Sequence, residues 1–278
     1  MCPPNHPRSS LEPEESELPL VLPPDDALPR YTPEELAAVF LDFYQFLTTL
    51  HYKPENLKVP PPEGWGDKVH THGKSDLAVE VLRRLPYFNS DETTAIHYKS
   101  SLLDYTTLPH DYFADSWMDT ADDYYDFMRE DRAVDPTDVV FIATGYESGG
   151  RQFLLDVNRG EVSVDVIRCE IFAGVDVNEF FDTLKEEYRS LRVIPYEGCV
   201  SMEAENVSEC DEEITEAEVC AQSEYWWSEL DAQYVRQMYR SYGWPDAFRR
   251  EEAFKAMEGL NESMREAGRD EWWEYQNN

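Results

Sequence analysis

The stretch from Asp138 to Arg189 constrains the fold of this chain most, because its pattern predicts three short strands followed by an amphipathic helix. The apolar run from Val139 to Ala143 is typical of a strand that is buried on both faces. Residues 152–157 and the alternating valines of residues 162–166 predict two further strands, separated by a short loop that contains Gly160. Connections this short predict an antiparallel β-meander.

An amphipathic helix is predicted directly after these strands. Asp176 and Glu179 mark its start, and apolar residues then recur at helical spacing on one face. We expect this face, with Phe180 in the core, to cover the meander. The predicted fold class is therefore α+β: an antiparallel β-meander covered by helices, with additional N- and C-terminal helices.

The N-terminal part of the chain divides into a tail and a helix. Residues 1–30 are acidic and rich in Pro, a composition that predicts a disordered tail. Thr32-Pro33-Glu34-Glu35 then has the pattern of a capping box with Pro in the first helical turn. We expect the helix to run to about residue 50, and residues 31–200 to form an α+β core domain.

Residues 201–278 are predicted to be an acidic linker and a helical C-terminal region packed on the core. The linker is indicated by Glu203 to Glu218, which contain eight acidic residues and no basic one. Thr215 and Glu218 predict another capping box, and we expect a long helix from Thr215 to Tyr242. Two shorter helices are predicted after it, over residues 246–259 and 261–275.

The charge of the chain restricts its partners. There are 58 acidic residues against 24 basic ones, which gives a formal net charge of −34. Phosphate backbones and anionic lipids are repelled by such a charge, so we predict that neither nucleic acid nor a membrane is a partner. The same charge either keeps the protein in solution or steers it toward a basic partner.

The sequence also favours an intracellular location. The N-terminus has no basic segment followed by an apolar one, and no stretch of about 18 apolar residues occurs. The five cysteines are odd in number and have no CxxC spacing, which favours a reducing compartment. We therefore expect a cytoplasmic or nuclear protein.

No metal site or cofactor is predicted. His70 and His72 have no further ligands at a recognisable spacing. The carboxylates between Asp115 and Asp126 alternate with aromatic residues, as on the solvated side of an amphipathic element, and they have no EF-hand pattern. A cation site formed by these carboxylates is the alternative interpretation.

The glycine-rich segment after the first strand of the meander is a candidate binding loop. No Lys-Ser or Lys-Thr pair follows it, and the next element is a strand, so a nucleotide site is not indicated. The glycines serve a turn, or the segment contacts a ligand or partner. The candidate binding residues are Gly145, Tyr146, Glu147, Gly149 and Gly150.

Trp226 and Trp227 are the other candidate binding residues. Adjacent residues of a helix point about 100° apart, so two neighbouring indoles cannot both face one core direction. One interpretation is that the two indoles are buried between neighbouring elements of the same chain. The alternative is that one tryptophan lies in an interface with a protein partner or in a homodimer.

Several features follow one another within about residues 108–191: the apolar strand, Gly149 and Gly150, the Leu155-Asp156 pair, the Gly160 hairpin, and a helix with Phe180 and Phe181. In these features the segment resembles the SUKH superfamily, which includes fungal cell-wall-synthesis regulators and bacterial toxin-immunity proteins. It implies a non-enzymatic domain that binds other proteins, in fungi as part of wall-integrity signalling. It implies no catalytic residue.

Three functional hypotheses follow from the sequence. The first is a non-enzymatic protein-interaction or regulatory module, SUKH-like in its fold. The second is a carboxylate-based hydrolase whose acidic residues, between Asp111 and Asp126 and near Glu147, converge only in the folded chain. The third is an acidic mimic of nucleic acid or a chaperone for basic partners.

Overall fold

The computed structural model describes residues 28–69, 73–89, 94–109, 112, 134–196, 199–204, 206–223 and 227–269. The disordered tail is predicted over residues 1–30, and its residues 1–27 lie outside the described ones. The described α-helices are α1 (Pro33–Leu50), α2 (Asp76–Leu82), α3 (Val177–Arg189), α4 (Glu216–Cys220), α5 (Glu229–Ser241) and α6 (Arg250–Glu266). The described strands are β1 (Leu57–Lys58), β2 (Tyr87–Phe88), β3 (Ala95–His97), β4 (Ser100–Leu102), β5 (Val139–Gly145), β6 (Arg151–Asp156), β7 (Glu161–Val166), β8 (Glu170–Asp176), β9 (Val193–Tyr196) and β10 (Cys199–Glu203).

An antiparallel six-stranded sheet forms the centre of the fold. Its strands follow one another in chain order from β3 to β8, as in a meander. The strands β5, β6 and β7 confirm the predicted meander, and β3, β4 and β8 extend it on both sides. Two further antiparallel pairs, β1 with β2 and β9 with β10, lie outside this sheet. The α+β class predicted from the sequence is confirmed.

Helices α1 and α3 pack together over one face of the sheet. The ring of Phe181 stacks on Phe43 with centroids 4.5 Å apart, and it meets Phe40 edge-on at 4.9 Å. Phe180 reaches the sheet itself, where its ring lies 5.3 Å from that of Phe153. The expectation that Phe180 is a core residue needs correction, because Phe180 is only half-buried whereas Phe181 is 1% exposed.

The predicted capping boxes explain where two helices begin. At the start of α1, the Thr32 N–H donates to Glu35 Oε2 at 2.8 Å, and the Glu35 N–H donates to Thr32 Oγ1 at 3.2 Å. Thr215 and Glu218 form the same reciprocal pair at the start of α4. Each box satisfies backbone donors that have no partner inside the helix.

The prediction of one long helix from Thr215 to Tyr242 is wrong. The helix α4 ends at Cys220, and α5 begins only at Glu229. A capping box between Ser228 and Asp231 starts α5, and Gln222 accepts a 2.6 Å hydrogen bond from the Ser228 hydroxyl. The capping box at Ser228 competes with a continuous helix. The capped start of α5 already satisfies backbone N–H groups that would otherwise pair with carbonyls of a preceding helical turn.

The two short helices predicted over residues 246–259 and 261–275 form, within the described residues, one helix, α6 (Arg250–Glu266), and residues 270–275 lie outside these residues. Gly259 and Asn261 lie inside it, although the pattern suggested a break between them. A glycine within a helix costs only about 1 kcal/mol relative to alanine. The buried face of Met257, Leu260 and Met264 continues across this position, so packing decides the outcome.

A buried arginine joins the C-terminal helices to the rest of the fold. Arg236 of α5 is buried and donates hydrogen bonds to three backbone carbonyls, those of Leu191, Ala204 and Val207. Tyr239, one turn further, donates a 2.7 Å hydrogen bond to the carbonyl of Pro195.

Among the described residues, no helix is both long enough and apolar enough to cross a bilayer.

Candidate protein-interaction surface

The candidate binding loop forms the connection between β5 and β6. Gly145 ends β5, and Gly150 lies immediately before β6. Glu147 and Gly149 both have positive φ, of 60° and 82°, so the chain reverses within a few residues. The side chains of Tyr146 and Glu147 are exposed at the tip of the turn.

Gly145 and Gly150 are required by close backbone packing. A Cβ atom on Gly150 would lie 2.4 Å from the carbonyl oxygen of Tyr146 and 2.7 Å from that of Lys99. A Cβ atom on Gly145 would lie 2.8 Å from the carbonyl carbon of Gly150. Distances this short are repulsive, so the shape of the turn requires glycine at both positions.

Three turns meet at this end of the sheet. The turn between β3 and β4 contributes the Lys99 carbonyl, which accepts a 3.1 Å hydrogen bond from the Tyr146 N–H. The turn between β7 and β8 contributes Ile167, whose N–H donates to the Gly150 carbonyl and whose carbonyl accepts from the Gly149 N–H. These bonds hold the candidate loop in a fixed position.

Glu147 is engaged by a lysine of the neighbouring turn. The Lys99 ammonium group donates to Glu147 Oε2 at 2.5 Å, and this hydrogen bond raises the pKa of Lys99. The Glu147 carboxylate is therefore neutralised locally by a basic group. The arrangement favours a structural role for Glu147 within the turns and gives no support to a general acid or base.

The strand β8 follows these turns and forms an edge of the sheet. Among the described residues it pairs only with β7. Two of its large apolar side chains are solvent-exposed, with Phe172 47% and Val175 39% accessible. We call the strand Glu170–Asp176 with these two side chains the β8 edge.

A β-bulge places both exposed side chains on the same face. Phe172 and Val175 are three residues apart, a spacing that would put them on opposite faces of a regular strand. Their partners in β7, Val164 and Val162, are two residues apart, and the register shifts between the two pairs. The extra residue in β8 therefore turns Phe172 and Val175 to the same side, a known effect of bulges.

This side is the face of the sheet that carries α3. Phe153, Val164 and Phe172 lie opposite one another on the neighbouring strands β6, β7 and β8. Phe180 of α3 covers Phe153, which is buried, whereas Val164 is half-buried and Phe172 is exposed. The helical cover therefore ends before the β8 edge, and the apolar row continues past it into solvent.

The chain segment before α1 encloses the other end of β8. Tyr31 donates a 2.6 Å hydrogen bond to Oδ2 of Asp176, and Arg30 forms a 2.8 Å ion pair with the same oxygen. The Tyr31 ring also lies over Gly160, where a Cβ atom would be 2.1 Å from the ring. The β8 edge is thus bounded by this contact at one end and by the three turns at the other.

Of the two candidate tryptophans, Trp227 is described by the structure and lies away from the β8 edge. Trp226 lies outside the described residues, so the partner surface predicted for it has no structural description. Trp227 is half-buried, packs against the core and lies just before the Ser228 cap of α5. The turn packs on Lys99 and Ile167, whereas α5 packs on the segment after α3. The five residues of the turn are therefore brought together, and Trp227 belongs to another part of the fold.

Two surface clefts contain charged side chains. A cleft of about 280 Å³ between α1 and α3 contains Asp42 and Asp182, and both carboxylates pair with Lys185. A cleft of about 400 Å³ at the start of α6 contains Arg249 and Arg250. In the part of the chain that the structure describes, no group of three His, Cys, Asp or Glu side chains has the arrangement of a metal site.

The two described core histidines have little capacity for acid–base chemistry. His51 is buried between aromatic rings, and neither ring nitrogen has a hydrogen-bond partner among the described residues. Burial, assisted by the charge of Arg250, lowers the pKa of His51 to about 3. Burial also lowers the pKa of His97. Both imidazoles are thus held neutral inside the fold.

Sequence reasoning did not identify the β8 edge. A weak signal was present, since the apolar run Ile171-Phe172-Ala173 follows β7 at the distance of a short turn. Gly174 and the bulge interrupt the alternation that would have marked a strand. The exposure of Phe172 and Val175 depends on where the covering helix α3 ends over the sheet. The sequence pattern of β8 carries no information about that position.

Comparison with known proteins adds no relative. No family model matches the chain, and neither the curated proteins nor the solved structures contain a match. The resemblance to the SUKH superfamily remains a prediction from the sequence.

Proposed function

We propose that this chain is a protein-interaction module and that the β8 edge binds its partner. The observation that carries the proposal is the pair of exposed apolar side chains, Phe172 and Val175, on one face of an edge strand. Natural edge strands are commonly protected by lysine, proline, a β-bulge or a covering element; β8 has a bulge, but this bulge leaves Phe172 and Val175 exposed on one face. The sequence of β8 contains neither Lys nor Pro.

A partner that adds a strand to β8 would use both features of this edge. The outward backbone groups of β8 supply main-chain hydrogen bonds, and the side chains beside them supply selectivity. Phe172 is suited to be the anchor, because large aromatic side chains contribute most to interface energies. The turn with Tyr146 is hydrogen-bonded to Ile167, in the turn that precedes β8, and would flank the bound segment.

The hydrolase and the acidic-mimic hypotheses remain predictions from the sequence. Most carboxylates on which the hydrolase depends, between Asp111 and Asp126, lie outside the described residues. SUKH-like membership is also a proposal, and it agrees with a non-enzymatic binding role. The module hypothesis is preferred because it has a specific surface to test.

The test is a comparative capture experiment with matched variants. Full-length protein and its Val175→Ser variant are used to enrich binding proteins from an extract of the source cells. The control is Val59→Ser, which makes the same change at a valine that is 52% exposed outside the β8 edge. We expect a partner that is retained by the wild type and by Val59→Ser, and lost with Val175→Ser.

The contradicting result is equally specific. If every enriched protein is captured equally by Val175→Ser and Val59→Ser, the β8 edge is not the binding surface. Circular dichroism and thermal unfolding of both variants establish that the comparison is made between folded proteins.

A further inference from the structure

We propose that the occupant of the β8 edge is an extended segment of a basic protein, added to the sheet as a further antiparallel or parallel strand. The segment would carry apolar side chains at alternate positions opposite Phe172 and Val175, and Lys or Arg on the same face at the end that lies beside Glu170. This inference rests on the proposed function, because it assigns the chemistry of the partner that the same edge binds.

The alternate spacing of apolar side chains in the bound segment follows from the geometry of the β8 edge. An added strand presents every second side chain to the face that carries Phe172 and Val175. On that face its apolar side chains would continue the row of Phe153, Val164 and Phe172, whose burial decreases toward the edge. Side chains of the intervening positions would point to the opposite face.

The acidic residues around the β8 edge are the reason to expect a positively charged partner segment. The segment 161–182 contains six acidic residues and one basic residue, Arg168. Glu170 begins β8 and Glu179 lies in the first turn of α3; both are exposed, and neither forms an ion pair with a described residue. A whole-chain charge of −34 adds long-range attraction for a basic segment.

The same charges disfavour a second copy of the chain as the occupant. Antiparallel pairing of β8 with β8 of another copy, centred on Ala173, would set Glu170 opposite Asp176 of the partner. Like charges directly opposite one another destabilise a strand pair. Both copies would also carry the full negative charge.

The N-terminal segment of the chain itself is disfavoured for a similar reason. Residues 1–27 contain six acidic residues and one basic residue. Their charge has the same sign as that of Glu170 and Glu179, so they lack the complementarity that a basic partner has.

The experiment is a selection of peptides by the immobilised full-length chain. A display library of random peptides about ten residues long covers the length of β8. The same selection is made with three variants: Phe172→Ser, the double variant Glu170→Lys/Glu179→Lys, and the control Glu258→Lys/Glu262→Lys. The control makes an identical charge change at two exposed residues of α6.

We expect the wild type and the α6 control to enrich peptides with a net positive charge and apolar residues at every second position. Phe172→Ser should lose these peptides. The Glu170→Lys/Glu179→Lys variant should bind them about tenfold more weakly at low salt, with a smaller loss at high salt. A synthetic copy with N-methylated backbone amides at alternate positions should lose binding in one of the two possible alternations.

The two proposals fail in different ways. Enriched peptides that need Phe172 but are neutral or acidic, or that bind equally when N-methylated in either alternation, overturn the basic extended segment and leave the interaction surface standing. If no peptide is enriched, or if enrichment does not depend on Phe172, the proposed function itself is contradicted.

Hydrogen exchange of the chain alone tests the other occupants. We expect the outward amides of β8 to exchange rapidly at every protein concentration. Protection that increases with concentration would identify a second copy as the occupant. Protection independent of concentration would identify a segment of the same chain, and either result would overturn the assignment to a basic partner.

Discussion

The guanidinium group of Arg269 donates a 2.7 Å hydrogen bond to Oδ2 of Asp231, and the two side chains are only 2% and 0% exposed. Asp231 also accepts a hydrogen bond from the backbone N–H of Ser228 at the start of α5. This ion pair therefore joins the segment after α6 to the cap of α5, inside the C-terminal part of the fold.

Replacing Asp231 with Asn should strongly destabilise the protein. The change keeps the size of the side chain but leaves the buried Arg269 without a counter-charge, which costs about 3–5 kcal/mol. Chemical denaturation gives the free energy of unfolding. Asp67→Asn is the matched control, because Asp67 pairs with Arg83 at the surface and is fully exposed. Equal midpoints for the two variants would contradict the buried pair.

A second prediction separates the two adjacent phenylalanines of α3. Phe181 is enclosed by Phe40 and Phe43, so Phe181→Ala should lower the free energy of unfolding by about 3–5 kcal/mol. Phe180 is half-buried, and Phe180→Ala should cost clearly less. Urea denaturation of both variants measures the difference. A larger loss for Phe180→Ala would show that α3 is rotated so that Phe180, and not Phe181, faces the core.

The meander and the helix over it were predictable because their signals are local. Val162, Val164 and Val166 alternate, Gly160 marks the hairpin, and Asp176 caps α3. The broken helix after Thr215 was not predicted, because the apolar pattern continues past Cys220 while Ser228 and Asp231 form a competing capping box. Such a cap is apparent only when the side chains are in place.

The candidate site was predicted only in part. The segment Gly145–Gly150 was identified as a turn, and its glycines allow the close contacts that Lys99 and Ile167 make from other turns. The β8 edge was missed because Phe172 is indistinguishable by sequence from a core residue. Its exposure results from the bulge and from the place where α3 stops covering the sheet.

A third prediction concerns the glycines. Gly150→Ala would place a Cβ atom 2.4 Å from the Tyr146 carbonyl oxygen, so the turn must shift, at a cost of about 1–3 kcal/mol. Gly259→Ala is the control, since that position lies in α6 and a Cβ atom there meets nothing within 4 Å. It should stabilise the protein by about 0.5–1 kcal/mol. Thermal unfolding distinguishes opposite shifts; shifts in the same direction would contradict the turn geometry.

A fourth prediction concerns acid sensitivity. The pKa of His51 is lowered to about 3 by burial, so this side chain binds a proton in the unfolded state at a higher pH than in the folded state. The contribution of His51 to folding stability is therefore present above the pKa that His51 has in the unfolded chain, and it is lost as the pH falls below that value. Between pH 7 and pH 5 the expected loss is about 2 kcal/mol for an unfolded pKa near 6.5.

The variant His51→Phe should lack this pH dependence while keeping an aromatic ring beside Tyr52. The difference in unfolding free energy between the wild type and His51→Phe, measured at pH 7 and pH 5, gives the contribution of His51 alone. His97 has a lowered pKa in both proteins and cancels in the comparison. Parallel stability curves for the two proteins would contradict the buried neutral imidazole.

The most direct test of the interaction surface is amide hydrogen exchange of the full chain with and without the partner that Val175→Ser fails to capture. We predict new protection in β8, around Phe172 and Val175, and in the neighbouring turn at Tyr146, with no change in α5 and α6. Protection of α5 or α6 while the β8 amides continue to exchange freely would contradict the proposal that this edge binds the partner.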